Sequence, residues 1–239
     1  MSRFTHPLLV VAGPVLFTLS WLVLGLVSPG YTLFGHTFAG YSPISQPISG
    51  LGLGVTGPFM NTAFVVTGLM LMAGMAGVHR AAGVHRAAGG PGARAWAVLL
   101  GLSGAGQALC GLFTLERMMP HTLGYVLAIG APVIGFPLAA RYFRRLPQWR
   151  RFGTWLLAAG PLTLLLMVAF LIAFQPTADG AEHDVAGLVQ RLGVLEVQAW
   201  FAAMGWLAFS RPPSPPSASP SVSPSGRRPG ARASRGTPS

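Results

Sequence analysis

The chain contains no lysine and very little acid. Its sixteen basic residues are all arginine, set against five acidic residues in 239. Charged residues make up 9% of the sequence, where a soluble domain carries about 25%. So little charge argues against a water-soluble globule. The single cysteine, Cys110, excludes an intramolecular disulfide. No phosphate-binding loop, nucleotide fingerprint or serine elbow occurs, and no two histidines stand in H-x-x-x-H spacing. The net charge of +11 invites a nucleic-acid reading, but the arginines fall in separate clusters between apolar stretches. Their exclusive use fits a GC-rich coding sequence better than a recognition surface, so no nucleic-acid partner is expected.

Apolar residues are present in abundance, at 51% of the chain with a mean hydropathy of +0.55. They gather into six stretches, 7–27, 57–78, 95–114, 119–140, 152–174 and 188–209. A bilayer core about 30 Å thick needs about 20 helical residues to cross it, and inside it the backbone must satisfy its own hydrogen bonds. The sequence therefore predicts an all-α, six-helix transmembrane bundle over residues 1–209, in contact with the lipid bilayer. The first stretch is too long for a typical signal-peptide core and is read as a retained helix.

The arginines set the expected orientation. Arg3, Arg80, Arg86, Arg94, Arg141, Arg144, Arg145, Arg150, Arg151, Arg211, Arg227, Arg228, Arg232 and Arg235 lie on one side of the implied membrane. Only Arg117 and Arg191 lie on the other, with Glu116, Asp179, Glu182 and Asp184. Both termini are thus expected inside the cell and the protein in the cytoplasmic membrane. Residues 210–239 hold eight prolines, nine serines and five arginines. Such a tail cannot bury enough apolar surface to offset its chain entropy, and disorder is predicted.

Ser28–Thr56, between the first two spans, is the longest external loop and carries no charged residue. Three prolines and several glycines exclude a regular helix through most of it. Its apolar character suggests an ordered cap on the bundle; a plain connector is the alternative. Between spans two and three, Gly-Val-His-Arg-Ala-Ala occurs twice in tandem, over 77–82 and 83–88. His79 and His85 are six apart and would face opposite sides of a helix, so segment duplication explains the repeat better than a metal site. The scattered His36, His121 and His183 do not make a metal site either, and no cofactor is implied. Gly101, Gly104, Ala105, Gly106 and Ala108 form a small-residue face suited to close helix packing.

Polar groups inside spans are costly and mark candidate sites. Glu196 lies several residues into span six, with small neighbours Gly193, Ala199 and Ala203 suggesting that it faces the bundle. Glu116, Arg117 and His121 flank the turn between spans three and four, Asn61 opens span two, and Gln107 sits in the outer half of span three. Together with Arg191 these could line an outward-facing polar pocket beneath the loop. Ion pairing and helix anchoring account for Glu116, Arg117 and Arg191 as readily. A carboxylate beside an imidazole could do acid–base work.

Tyr41-Ser-Pro-Ile-Ser-Gln-Pro-Ile-Ser-Gly-Leu-Gly, then Gly57-Pro-Phe-Met-Asn-Thr-Ala-Phe-Val-Val-Thr-Gly, resemble the bacterial and archaeal membrane family catalogued as domain of unknown function 998. Gly111-Leu-Phe-Thr, Pro120-His-Thr-Leu-Gly and Gly187-Leu-Val-Gln-Arg-Leu are similar to its later motifs. The resemblance covers roughly residues 7–209 and implies a multi-helix membrane protein of unassigned activity. It maps recurring polar positions onto Ser49, Asn61, His121 and Arg191. Three functional readings follow. The first is non-catalytic binding or handling of a lipid or small amphiphile in an outward-facing pocket. The second is an enzyme acting on lipid head groups, with Glu196 or Glu116 as base and His121 as acid or ligand. The third is an accessory subunit packing on another membrane protein through the small-residue face of span three.

Overall fold

The computed structural model describes residues 6–83, 92–174 and 184–210. The second copy of the hexapeptide beyond Gly83, the acids Asp179 and Glu182, His183 and the tail from Arg211 lie outside the described residues.

Seven helices build six candidate spans. They are α1 (Leu9–Val27), α2 (Gly57–Ala81), α3 (Gly92–Leu112), α4 (Met118–Tyr125), α5 (Ala131–Phe143), α6 (Arg150–Ala173) and α7 (Ala186–Ser210). Helices α4 and α5 form one span, Met118–Phe143, joined by a π-helical turn at Val126–Gly130. That turn leaves the regular ladder, and Ser103 on α3 donates its hydroxyl to the Ala128 carbonyl at 2.5 Å. A chain with six helices this long and apolar is an integral, multi-pass membrane protein.

Glycine governs how closely the spans approach. A Cβ on Gly68 of α2 would meet the Gly104 carbonyl and the Ala108 backbone nitrogen of α3 under 3 Å away. Gly106 is closed off likewise by Gly124 and the π turn. Most of the small-residue face of α3 is therefore consumed inside the bundle, where backbones touch. That burial counts against the accessory-subunit reading, while Gly101 alone of that face's glycines meets open space.

The two ends of the bundle have separate cores. The ends of α1, α2 and α7 that meet, where Gly77 and Gly205 press on His6, Pro7 and Val10, adjoin the arginine-bearing connections. There Trp96, Phe143 and Trp149 are buried, with Phe143 and Trp149 stacked at 4.6 Å between ring centroids. At the opposite end residues 28–56 form the cap. A hairpin, β1 (Gly30–Leu33) and β2 (His36–Ala39), pairs antiparallel with Leu33 opposite His36. Its two turn residues, Phe34 and Gly35, both take positive φ (50° and 84°), as a tight hairpin turn of the right twist requires. Two 3-10 turns, Ile48–Gly52 and Gly54–Thr56, then lead into α2. The segment Ser45–Leu53 is buried throughout.

Candidate functional site

The start of α7 presents N–H groups that no helical carbonyl can accept. The cap supplies their partners: Gly187 N–H donates to the Ser45 carbonyl at 3.2 Å and Leu188 N–H to Ile44 at 2.8 Å. Gly187 has to be glycine, because a Cβ there would run into the Gln46 backbone. One turn further on, Arg191 is 6% exposed and has no carboxylate partner among the described residues. Its Nη1 donates to the carbonyls of Pro43 (2.7 Å), Gln46 (2.9 Å) and Gly187 (2.8 Å). Nη2 donates to the Tyr41 hydroxyl, and the guanidinium lies 5.3 Å from the Trp21 ring centroid. Weak hydration and a planar fork suit arginine to this work, where the compact ammonium of lysine would not serve. Burial raises Tyr41 above its ordinary range against the opposing pull of Arg191. The phenol therefore keeps its proton and donates to the Pro47 carbonyl at 2.9 Å.

Two other helices, and a second side chain of α7, hold the same cap. Asn61 on α2 donates Nδ2 to the Gly52 carbonyl at 3.0 Å. Gln190 on α7 accepts from the Ile48 N–H at 2.6 Å. His121 on α4 is 5% exposed and reaches Ser49. Its Nδ1 lies 2.6 Å from the Phe113 carbonyl, which can only accept, so Nδ1 carries the proton. On the neutral imidazole Nε2 is then an acceptor, and the Ser49 hydroxyl donates to it at 2.9 Å. Ser49, Asn61, His121 and Arg191 thus meet at one place, the junction of cap and bundle.

A cavity partly open to the outside, whose roughly 520 Å³ of empty space includes its open mouth, lies directly beneath. Phe17, Phe64, Leu71 and Phe201 give it apolar walls, while Ser49, Ser103, Gln107, Gln190 and Gln198 add polar groups. Each glutamine spends one end of its amide on the protein. Gln107 donates Nε2 to Thr67, Gln190 accepts from Ile48 N–H, and Gln198 accepts from the Thr18 hydroxyl at 3.0 Å. Gln107 Oε1, Gln190 Nε2 and Gln198 Nε2 have no partner among the described residues, yet none is sealed from open space. In a low-dielectric interior such groups are expensive to leave unmet. The site therefore offers one acceptor and two amide donors, with no charged side chain in its lining. A second cavity, also partly open, runs between α4 and α6 and is walled by Leu115, Phe170 and Phe174. The two adjoin at Ser49, Tyr125 and Gln190.

The remaining sequence candidates lie elsewhere. Glu196 sits in the seam between α6 and α7, where Oε2 accepts from Thr163 (2.8 Å) and Oε1 from Trp200 Nε1 (2.7 Å). It lines neither cavity. Glu116 and Arg117 are exposed in the turn after α3, with Glu116 bonded to Thr114 at 3.4 Å. Neither glutamate bonds to His121, so the acid–base pairing expected of them is not assembled. His36 is exposed on β2. Ser103, Gln190, Gln198, Thr18 and Tyr41 are site residues that the sequence reading passed over. A signal was present, since Gln190, Val194, Val197 and Phe201 follow helical spacing along one face.

The family model for proteins of unknown function catalogued as DUF998 matches residues 11–207. That is most of the chain, and the chain belongs to this family. No curated protein and no solved structure matches it.

Proposed function

We propose that this DUF998 protein holds an uncharged amphiphile, a lipid or a small molecule of similar build, in the cavity beneath its cap. The carrying observation is the set of three glutamine ends that the protein leaves without partners above apolar walls. An uncharged head bearing both an acceptor and a donor would meet them, and its apolar part would lie against Phe17, Phe64 and Phe201. A lining without fixed charge disfavours phosphate-bearing heads. The reading does not require Glu196, whose oxygens are both engaged at a helix seam.

Native mass spectrometry of the protein extracted with its own lipids tests this directly. Wild type should retain a defined uncharged species, and replacing both Gln107 and Gln198 by Leu should remove it while leaving the unfolding midpoint close to wild type. Retention of nothing by wild type would overturn the proposal. So would equal retention by the double variant.

A further inference from the structure

At the point where the two cavities meet stands a serine hydroxyl aimed at an imidazole. The Ser49 hydroxyl donates to His121 Nε2 at 2.9 Å, and the opposite ring nitrogen is fixed as donor by the Phe113 carbonyl at 2.6 Å. This is the hydrogen-bond direction that a nucleophile and its base require, with a carbonyl orienting the base. Both residues are 5–6% exposed, yet Ser49 lines both cavities and His121 lines the second. A donor stands beside them. Gln190 is tied to the residue before the serine, Ile48, through its Oε1, which leaves its Nε2 for the shared space. A structural latch would need the hydroxyl held, as Asn61 holds Gly52. It would not need that hydroxyl set at the junction of two open spaces beside an unmet amide donor.

We infer that Ser49 is the nucleophile, and His121 the base, of an acyl transfer from an uncharged carboxylic-ester lipid. The inference rests on the cavity beneath the cap being where an amphiphile enters. In the first half, Ser49 Oγ bonds to the ester carbonyl carbon as its proton passes to His121 Nε2. Gln190 Nε2 donates to the carbonyl oxygen as negative charge gathers there. The bond from carbon to the alcohol oxygen breaks, and the alcohol leaves with the proton from His121. In the second half, water adds to the acyl carbon and gives a proton to Nε2. The acyl bond to Oγ then breaks, Ser49 recovers that proton, and a carboxylic acid is released. The apolar cavity between α4 and α6 is where the acyl chain lies during both halves.

The test uses the full chain in detergent with a long-chain alkyl fluorophosphonate, whose phosphorus takes a bond from an activated serine as fluoride leaves. Peptide mass mapping should place the adduct on Ser49 and leave the nearby Ser45 and Ser103 unmodified, since neither has an imidazole partner. Ser49→Ala should take no adduct. His121→Gln keeps an acceptor for the Ser49 hydroxyl but cannot take a proton, so labelling should slow at least ~100-fold while the unfolding midpoint stays near wild type. No adduct on Ser49 in wild type, or wild-type labelling of His121→Gln, would overturn the inference. Native mass spectrometry of the same preparation separates the two claims. A retained lipid with unlabelled Ser49 removes the acyl transfer and leaves a binding site, whereas neither lipid nor label removes both. A labelled Ser49 with nothing retained keeps the acyl transfer and removes storage.

Discussion

Where the arginine-rich connections lie, Trp96, Phe143 and Trp149 fill the space between α3, α5 and α6, with ring centroids 4.6 and 5.0 Å apart. At the cap, α2, α4 and α7 are tied to the loop by Asn61, His121, Gln190 and Arg191, each bonded to a residue of the 41–56 segment. Aromatic packing carries no obligation to a partner and is held by area and shape. Buried hydrogen bonds are worth only about 1 kcal/mol net when made, and removing one side leaves the other unmet at about 1–3 kcal/mol. The aromatic end can therefore supply stability without specifying any movable part. The cap end is held by several separate polar ties, each modest, over a cavity that still contains unmet groups. Such an arrangement lets the cap loosen while the bundle stays folded.

The largest expected effect tests the aromatic half of this contrast. Trp149→Ala removes a ring that is 1% exposed and stacked on Phe143, and should cost about 3–5 kcal/mol in denaturant unfolding of the solubilised protein. Amide hydrogen exchange of residues 41–56, set by local opening of the cap, should stay unchanged. If cap and bundle lost protection together in equal measure, the two ends would form one cooperative unit and the contrast would fail.

Arg191→Ala probes the other half. It strips partners from the Pro43, Gln46 and Gly187 carbonyls and the Tyr41 hydroxyl at once. A loss of about 2 kcal/mol is expected, read as a fall of roughly 30-fold in exchange protection over residues 43–48, with the Trp96 region unaffected. Arg191→Lys should recover only part of it, because one ammonium cannot reach three carbonyls and stack on Trp21 in the same pose. Full recovery by lysine would mean that charge alone, and not the fork, holds the cap.

Much of this architecture is written openly in the sequence. Six apolar stretches can do little but cross a bilayer, and the small residues of α3 already announce close packing. The hairpin was less visible. Its signal is Phe34-Gly35 between two short alternating segments, and prolines and glycines on either side read only as loop. Among the site residues, Asn61, His121 and Arg191 stand out as polar groups at the outer ends of spans and Ser49 comes from motif resemblance, but nothing in their spacing reveals that the cap lies across all of them. That depends on long-range docking, such as Gly187 against Gln46, which no local period encodes. Glu196 illustrates the converse. A carboxylate inside a span attracts attention by its desolvation cost, yet Thr163 and Trp200 meet that cost at a seam between helices, where no cavity opens.

The smallest expected effect is accordingly at Glu196, and it sharpens the comparison most. The Thr163 hydroxyl also reaches the Ala159 carbonyl at 2.8 Å, so its single proton can turn there. In Glu196→Gln the new amide nitrogen can then donate to Thr163 Oγ1, while the amide oxygen still accepts from Trp200 Nε1. Every hydrogen-bonding atom of the seam keeps a partner, and a change within about 0.5 kcal/mol is expected, the usual range for substitutions that disturb no buried network. Native mass spectra should show the same retained species as wild type, in contrast to the glutamine double variant. A lost ligand in Glu196→Gln would place the binding site at the α6–α7 seam, and the cap ties would then be fastenings only. An unchanged spectrum leaves ligand handling to the cavity beneath the cap, where amides and hydroxyls do the recognising and arginine holds the cap in place.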